Sequence, residues 1–301
     1  MKVFLTGATG FIGNALVRAL RQRGDECTVL SRSGKYPWPG LGVKIVRGNP
    51  ATAGRWEQEV DGADAVINLA GERIVDPPHR WTDARKKSLR DSRIESTRNV
   101  VTAIRASRKP PRVLLSGSAI GFYGNRGDEI VDESAPPGDD FLARLCIDWE
   151  AAAREAEPRT RVVALRSGLV LGKEGGGLAP LFWLFKLGFG GPWGDGKQWW
   201  SWIHLADEVG LILWALDREL ASPMNLVAPE PVTVNDFAEA MGRALHRPSA
   251  VRAPEFALRL ALGEAADPLL NLQRVLPRRA LDGGYVFQFP SVGGALEQIF
   301  G

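Results

Sequence analysis

The chain has 301 residues, of which 45% are hydrophobic and 24% are charged, and its formal net charge at pH 7 is +3. This composition is that of a globular protein with one large and one smaller domain, and the small charge on scattered basic residues argues against nucleic-acid binding. Because no run of about 18 apolar residues occurs and a strand pattern takes the place of a signal peptide, we expect a cytoplasmic protein without a membrane partner. The two cysteines, Cys27 and Cys146, are too few and too isolated for a disulfide framework or a metal site.

The N-terminal segment has the pattern of a strand, a glycine-rich turn and a helix. Residues 2–13 read K-V-F-L-T-G-A-T-G-F-I-G, and an amphipathic helical pattern follows them. In this arrangement Gly7 allows a tight turn, Gly10 lets a pyrophosphate approach the backbone, and Gly13 lets the helix pack close to the strand. The N-terminus of the helix then offers free N–H groups to phosphates. The segment therefore predicts a dinucleotide site.

Further apolar segments alternate with helical patterns along the first three quarters of the chain. The predicted strands are 3–5, 27–30, 43–46, 65–69, 113–115, 162–166 and 224–227, and the main predicted helices include 83–107 and 139–153. This alternation predicts an α/β fold with a doubly wound parallel sheet. Ligands bind at the carboxyl ends of such strands, where Glu72, Ser116 and Ser118 are expected.

The residues after the second predicted strand bear on cofactor choice. NAD sites usually carry an acidic residue about 20 positions beyond the glycines, where it binds the ribose 2′-hydroxyl. Here the strand ends in Ser31 and Arg32. Because a guanidinium suits a 2′-phosphate in charge and shape, we expect NADP(H) rather than NAD(H). The alternative is a solvated arginine without a ligand.

The pattern T-G-A-T-G-F-I-G resembles the opening of the extended short-chain dehydrogenase/reductase family, which includes the nucleotide-sugar epimerases. The segment at 68–72 is similar to a family segment that lies beside the cofactor. The segment at 165–172 is similar to the one where the family's chain leaves the nucleotide domain, and the segment at 202–207 is similar to the one where it returns. The resemblance implies a Rossmann-type NADP-binding domain over 1–170, joined by about 200–227, and a smaller C-terminal α/β substrate-binding domain over 171–301. Together with the turn, it implies these cofactor-binding residues: Gly7, Thr9, Gly10, Phe11, Ile12, Gly13, Ser31, Arg32, Leu69, Ala70, Gly71, Glu72, Arg93 and Ser116.

The sequence departs from this family at its catalytic helix. The family's usual pair is a Tyr with a Lys four residues later, which lowers the phenol pKa, and a Ser after the fifth strand positions the substrate. Ser118 matches that Ser. Alignment of Glu150 with the acid that follows the family's Lys places Leu142 and Cys146 at the Tyr and Lys positions, and neither can exchange the proton. None of the three tyrosines is followed by a Lys four residues later.

Several motifs resemble one subgroup, the atypical epimerase-family proteins. They are S-x-S-A-I-G-x-Y-G from Ser116, C-x-D-W-E-A-A-A from Cys146 and Q-R-V-L-P-R-R from Gln273. The resemblance implies NADP binding and leaves the substrate open. One hypothesis is an oxidoreductase or epimerase-like enzyme with non-standard acid/base residues. The other is a catalytically inactive cofactor-binding sensor or partner-binding protein. The resemblance implies a cell-division role for this second hypothesis, because some relatives have names related to cell division.

Candidates for a substitute acid or base are few. Ser118 and Tyr123 are the first candidates, although the sequence shows no cation beside the Tyr123 phenol. Glu72 and His204 are the second candidates. Lys173 and Cys146 are further candidates. Four tryptophans between positions 193 and 202 either stack on a planar or sugar-like small-molecule substrate or fill the domain junction. We expect a monomer or a homodimer.

Overall fold

The computed structural model describes residues 1–76, 79–173, 175–176, 178–220, 222–271 and 273–301. The strands are β1 (Lys2–Thr6), β2 (Glu26–Ser31), β3 (Lys44–Arg47), β4 (Ala65–Asn68), β5 (Val113–Ala119), β6 (Ile130–Val131), β7 (Arg161–Ser167), β8 (Leu169–Gly172), β9 (Gly175–Gly176), β10 (Trp199–Trp200), β11 (Trp202–His204), β12 (Met224–Leu226), β13 (Val232–Thr233) and β14 (Arg274–Val275). The helices are α1 (Phe11–Gln22), α2 (Asp83–Ala106), α3 (Phe141–Arg154), α4 (Leu178–Lys186), α5 (Leu205–Asp217), α6 (Val234–Leu245), α7 (Glu255–Leu262), α8 (Asp267–Leu270), α9 (Arg278–Asp282) and α10 (Val292–Phe300).

Seven strands form one parallel sheet in the order β12-β7-β5-β4-β1-β2-β3. Their residues are apolar on both sides because helices cover both faces of the sheet. One face packs against α1 and α5, and the other packs against α2 and α3. The prediction of a doubly wound Rossmann-type sheet is confirmed. The strand order reverses between β1 and β4, and ligands bind at such a switch point.

The chain leaves the sheet after β7 and comes back to it at β12. In between, β8 pairs in parallel with β11 and in antiparallel with β9. Gly175 and Gly176 form β9, while Gly177 lies outside the described residues. The hairpin β8–β9 holds the glycines of β9 against the start of α1.

The C-terminal part encloses a second apolar core, which contains most of the tryptophan cluster. Trp193, Trp200 and Trp202 are buried among residues of α6 and α10, and the Trp193 and Trp200 ring centroids lie 4.5 Å apart. Trp199 is half-buried and donates its Nε1 hydrogen to Asp128. Of the two interpretations of this cluster, hydrophobic filling therefore holds for these three rings. Within the described ranges, no helix combines the length and the apolar character needed to cross a membrane.

Candidate functional site at the carboxyl ends of the parallel strands

The turn between β1 and α1 has the geometry that the three glycines predict. Gly7 has a φ of +69°, which disfavours L side chains, and a Cβ there would lie 2.5 Å from the carbonyl carbon of Leu69. The Gly10 N–H donates to the Gly7 carbonyl at 3.0 Å. A Cβ on Gly13 would lie 2.4 Å from that carbonyl oxygen. Gly7 and Gly13 are thus required by packing, whereas Gly10 faces solvent.

The N-terminus of α1 is open. Its N-cap residue is Gly10, which provides no capping side chain, and its first turn contains no acidic residue. The first backbone N–H groups of a helix have no partner inside the helix, and the helix dipole places positive charge there. Thr9 and Gly10 are exposed beside this end, and Phe11 and Ile12 are half-buried. The arrangement suits a phosphate group.

The β8–β9 hairpin covers one side of this helix end. A Cβ on Gly172, Gly175 or Gly176 would come within 2.9 Å of the Phe11 ring, so these glycines leave the space that the ring occupies. The hairpin therefore fixes the first residue of α1 beside the phosphate-binding turn.

The carboxyl end of β2 is rich in exposed cations. Ser31 is buried, and its hydroxyl donates to the Lys35 carbonyl at 2.7 Å. Arg32 and Lys35 are exposed, and the side chain of Arg47 from β3 lies against Gly34 in the same loop. Of these three cations, only Arg32 was predicted from the sequence. The other two cations come from the loop and from the neighbouring strand, which only the fold brings to this end.

Beyond β4, the loop of Leu69, Ala70 and Gly71 is covered by a buried arginine. Arg93 from α2 donates to the carbonyls of Leu89 and Glu72 at 3.0 and 2.8 Å, and its guanidinium lies 3.2 Å from where a Cβ of Gly71 would be. Burial lowers the pKa of Arg93 to about 10, so it remains charged at neutral pH. The Glu72 carboxylate is half-buried and pairs with Arg85, and it accepts a hydrogen bond from Ser88 at 3.0 Å.

A buried network lies under the next strand ends. The Asn68 side chain accepts from Thr6 and donates to Thr97 at 2.8 Å, and Thr97 also accepts from the Trp149 indole at 2.9 Å. Ser116 lies on β5 beside Asn68 in the register, and its hydroxyl is buried without a hydrogen-bond partner in the described structure. An unpartnered buried hydroxyl at a strand end is a group that a bound ligand can satisfy.

The residues expected to move protons are joined by a buried ion pair. The Ser118 hydroxyl donates to Glu150 Oε1 at 2.7 Å, and Arg166 binds both Glu150 oxygens at 2.8 and 3.0 Å. Arg166 also donates to the Tyr123 hydroxyl at 3.0 Å, and that hydroxyl donates to Asn225 Oδ1 at 2.7 Å. Glu150 and Arg166 were not predicted as site residues, although a charge within each apolar segment was the available signal.

Arg166 is a cation beside the Tyr123 phenol, so the expectation that this phenol lacks one is wrong. Burial nevertheless raises the pKa of Tyr123, and its side chain is 0% exposed. Both hydrogen-bonding directions of the hydroxyl are occupied, which disfavours proton exchange with a substrate. The catalytic role of Tyr123 stays a prediction.

The helix α3 carries neither a phenol nor an ammonium group at the family's Tyr and Lys positions. Leu142 is half-buried and packs with Trp81 and Phe141 in an apolar cluster. Cys146 is buried, and burial raises the pKa of its thiol to about 12. A thiol with this pKa is almost entirely protonated at neutral pH and is a poor nucleophile.

His204 lies at the start of α5 rather than beside Ser118. Its Nδ1 accepts from the Ala206 N–H at 3.1 Å, and its Nε2 lies 2.9 Å from Gln298 Oε1. The ring therefore carries its hydrogen on Nε2 and donates to Gln298. Burial lowers the pKa of His204, which keeps the ring neutral. Lys173, which is exposed, and the buried His204 line a hollow between α1, α5 and α10. The described lining of this hollow includes neither Ser118 nor Tyr123.

Comparison with known families agrees with this geometry. A family model described as "NAD dependent epimerase/dehydratase family" matches residues 3–226. The chain belongs to this family. A second model, "Domain of unknown function (DUF1731)", matches residues 253–299, in the C-terminal part that contains α7 to α10.

Relatives match over nearly the full length. The chain is 40% identical over 310 residues to "Epimerase family protein SDR39U1 homolog, chloroplastic" of Arabidopsis thaliana, with 99% of this chain and 86% of that protein covered. The crystal structure of human epimerase family protein SDR39U1 with NADPH is 37% identical, with a TM-score of 0.90 and 99% of each chain covered. A nucleoside-diphosphate sugar epimerase from Corynebacterium glutamicum is 33% identical, with a TM-score of 0.78 and 99% of this chain and 58% of that chain covered.

Proposed function

We propose that this chain binds NADPH and acts as an oxidoreductase or epimerase-like enzyme on a small-molecule substrate. The observation that carries the proposal is the open N-terminus of α1, with exposed cations at the adjacent end of β2. It is supported by the NADPH in the crystal structure of the 37% identical human relative.

The residues at the ends of β1, β2 and β4 fit this cofactor. The N–H groups after Gly10 would hold the pyrophosphate, and Arg32 would hold the 2′-phosphate with Lys35 and Arg47 nearby. The nicotinamide half would lie across the switch point, beside the loop of Leu69, Ala70 and Gly71. Cofactor-binding roles are likewise proposed for Gly7, Thr9, Phe11, Ile12, Gly13, Ser31, Leu69, Ala70, Glu72, Arg93 and Ser116.

The bound nicotinamide would supply hydride chemistry. The residues of the chain would bind and orient the cofactor and the substrate, and would transfer protons to and from the substrate. Arg93 is a charged group over Gly71, and the unpartnered Ser116 hydroxyl lies two residues before Ser118. Both are suited to orient polar groups of a ligand. Ser118, Tyr123, Glu72 and His204 remain the proposed proton-handling residues, and Glu72 is the half-buried acid among them.

The substrate class follows from relatives rather than from a described pocket. The name of the Corynebacterium glutamicum relative favours a sugar linked to a nucleoside diphosphate. A cytoplasmic location and a monomeric or homodimeric state belong to the same proposal, although one plant relative is named as chloroplastic.

A second candidate function is cofactor binding without turnover, in a sensor or partner-binding protein. The buried Glu150–Arg166 pair favours it, because the pair occupies both hydroxyls expected to contact a substrate. A cell-division role would belong to this candidate.

Titration of the purified chain with NADPH tests the proposal, followed by incubation of the complex with a panel of nucleotide sugars and simple carbonyl compounds. Binding with oxidation of NADPH or with sugar epimerisation supports an enzyme. Binding without any turnover supports the second candidate, and absence of binding contradicts both.

A further inference from the structure

A buried carboxyl group lies behind the strand ends and has no role in the site described above. Glu208 on α5 is 1% exposed, and its Oε1 accepts a hydrogen bond from the Ser167 hydroxyl at 2.6 Å. Its Oε2 is buried and has no partner in the part of the chain that the structure describes. Burial raises the pKa of Glu208 to about 8, so the group is mostly protonated at pH 7.

Ser167 places this carboxyl close to the cofactor edge. It is the last residue of β7, it is half-buried, and it pairs in register with Ala119 of β5 and Leu226 of β12. In a doubly wound sheet the two halves of a dinucleotide lie on opposite sides of the switch point. With the 2′-phosphate held at the end of β2, the nicotinamide half would extend from β1 across β4 and β5 toward β7.

No described cation neutralises Glu208. On α5 itself, Asp207 accepts from the N–H groups of Gln288 and Phe289, and His204 at its start is a neutral ring bonded to Gln298. The other titratable groups on the elements around Glu208 have partners elsewhere. Tyr285 of the tail bonds to Asp207, and Arg166 of β7 pairs with Glu150 on the opposite face of the sheet. On α1, Arg18 lies over the Trp38 ring, Arg21 donates to the carbonyls of Leu41 and Asp25, and Arg23 pairs with the carboxylates of Asp25 and Asp217. Lys173 after β8 is exposed.

We propose that Glu208, with Ser167 in front of it, lets this site distinguish oxidised from reduced nicotinamide by ionising when the oxidised form binds. The inference rests on the proposed NADPH site. The oxidised ring carries a positive charge and the reduced ring carries none. A carboxylate therefore attracts the oxidised ring only, and this attraction is strong in a site from which water is excluded.

The proton balance gives the sign of the pH effect. Free protein at pH 7 holds the proton on Glu208, and binding of NADP⁺ releases it to solvent, while binding of NADPH leaves it in place. Rising pH ionises the carboxyl and strengthens binding of NADP⁺ relative to NADPH. An opposite charge within about 4–6 Å shifts a pKa by 1–3 units, so the affinity ratio should change by about tenfold or more between pH 6.5 and 9.

Calorimetric titration of the full chain with NADP⁺ and with NADPH, in two buffers of different ionisation enthalpy, measures both affinity and proton release. We expect NADP⁺ to release most of one proton at pH 7 and NADPH to release almost none. The ratio of the two dissociation constants should move toward NADP⁺ as the pH rises. A pH-independent ratio in the unmodified protein overturns the inference.

Variants assign the effect to this carboxyl. Glu208→Gln keeps the shape of the protonated group, and we expect it to abolish the proton release and to flatten the ratio to within about twofold. Glu219→Gln, which changes an exposed carboxylate just beyond the same helix, is the matched control and should behave as the unmodified protein does. A Glu208→Gln protein that retains the full pH dependence contradicts the assignment.

A second variant covers the case in which Glu208→Gln does not fold. Ser167→Ala removes the hydrogen bond that lowers the Glu208 pKa, so the pH at which the ratio changes should move upward. An unmoved midpoint overturns the role of Ser167 in the pair. Failure of the unmodified chain to bind either nucleotide would contradict the proposed function itself, and it is distinct from binding of both nucleotides with a constant ratio.

Discussion

The two ends of the ligand edge are built on opposite principles. At β1 and β2 the groups that could meet a ligand are open: α1 has no capping side chain, and Arg32 and Lys35 are exposed. At β5 and β7 the corresponding groups are closed, because Ser118 and Tyr123 bond to the buried pair of Glu150 and Arg166. The first end is arranged for an external anion, and the second has its charges satisfied from within the protein.

This difference means that cofactor binding at the open end does not depend on the residues that would carry out a reaction at the closed end. A buried ion pair gains little stability over apolar residues of similar volume, but removal of one partner leaves an uncompensated charge. Once Glu150 and Arg166 are in place, the hydroxyls beside them are held as parts of the fold. The nucleotide end can therefore persist in a chain whose Tyr and Lys positions hold Leu142 and Cys146.

The largest expected effect is at the open end. Gly10→Val places a branched side chain over the helix N-terminus, where a Cβ meets only the Gly7 carbonyl oxygen, at 3.2 Å. We expect a folded protein that binds no measurable NADPH, as measured by fluorescence titration and thermal unfolding. Gly40→Val, at a glycine with no atom within 4 Å of its Cβ position, is the control and should bind normally. Normal binding by a folded Gly10→Val protein would contradict the phosphate-binding role of the turn.

At the closed end, Arg166→Met should be strongly destabilising. The Arg166 and Glu150 side chains are 3% and 2% exposed, so the variant removes the buried cation from a buried carboxylate. The only cation that this carboxylate then keeps within the described structure is the half-exposed Arg154, at 3.5 Å from Oε2. Loss of one partner from such a pair typically costs about 3–5 kcal/mol in the free energy of unfolding. Denaturant unfolding checks this value. Arg90→Met, which breaks the exposed pair with Asp148, should cost no more than about 1 kcal/mol. Equal losses in the two variants would show that the buried pair has no special weight.

Arg32→Glu tests the specificity of the open end. The change places a carboxylate where a 2′-phosphate is proposed to lie, so NADPH affinity should fall at least about tenfold while NADH affinity changes little. Competition titrations with both nucleotides measure the ratio. Arg55→Glu makes the same charge change at another exposed arginine and should leave the ratio unaltered. A parallel loss for NADPH and NADH would remove Arg32 from the 2′-phosphate site.

Tyr123→Phe should have the smallest effect on NADPH binding. The variant removes the hydroxyl that accepts from Arg166 and donates to Asn225, leaving buried polar groups without that partner. We expect a loss of about 1–3 kcal/mol in the free energy of unfolding and an unchanged NADPH affinity. Tyr36→Phe, which removes one hydrogen bond to Asn14, is the comparison and should cost less. A large loss of NADPH affinity in Tyr123→Phe would place this hydroxyl in the cofactor site.

Most of the open end could be predicted from the sequence, whereas few of the contacts at the closed end could. Glycine spacing, apolar strands and the helix after Gly13 are local signals, and they predicted the sheet and the turn. Arg166, Glu150, Asn225 and Ser118 come from separate elements, and their contacts depend on strand order and on which face each residue occupies. The same holds for Ser167 and Glu208, whose 41-residue separation carries no periodic signal.

The most direct test of the central claim is a comparison of NADPH and NADH binding to the unmodified chain at equilibrium. The open end at β1 and β2 predicts saturable binding of NADPH at one site, with an affinity at least about tenfold higher than that for NADH because of the extra phosphate. Absence of NADPH binding, or an NADH affinity equal to or above that for NADPH, would contradict the account.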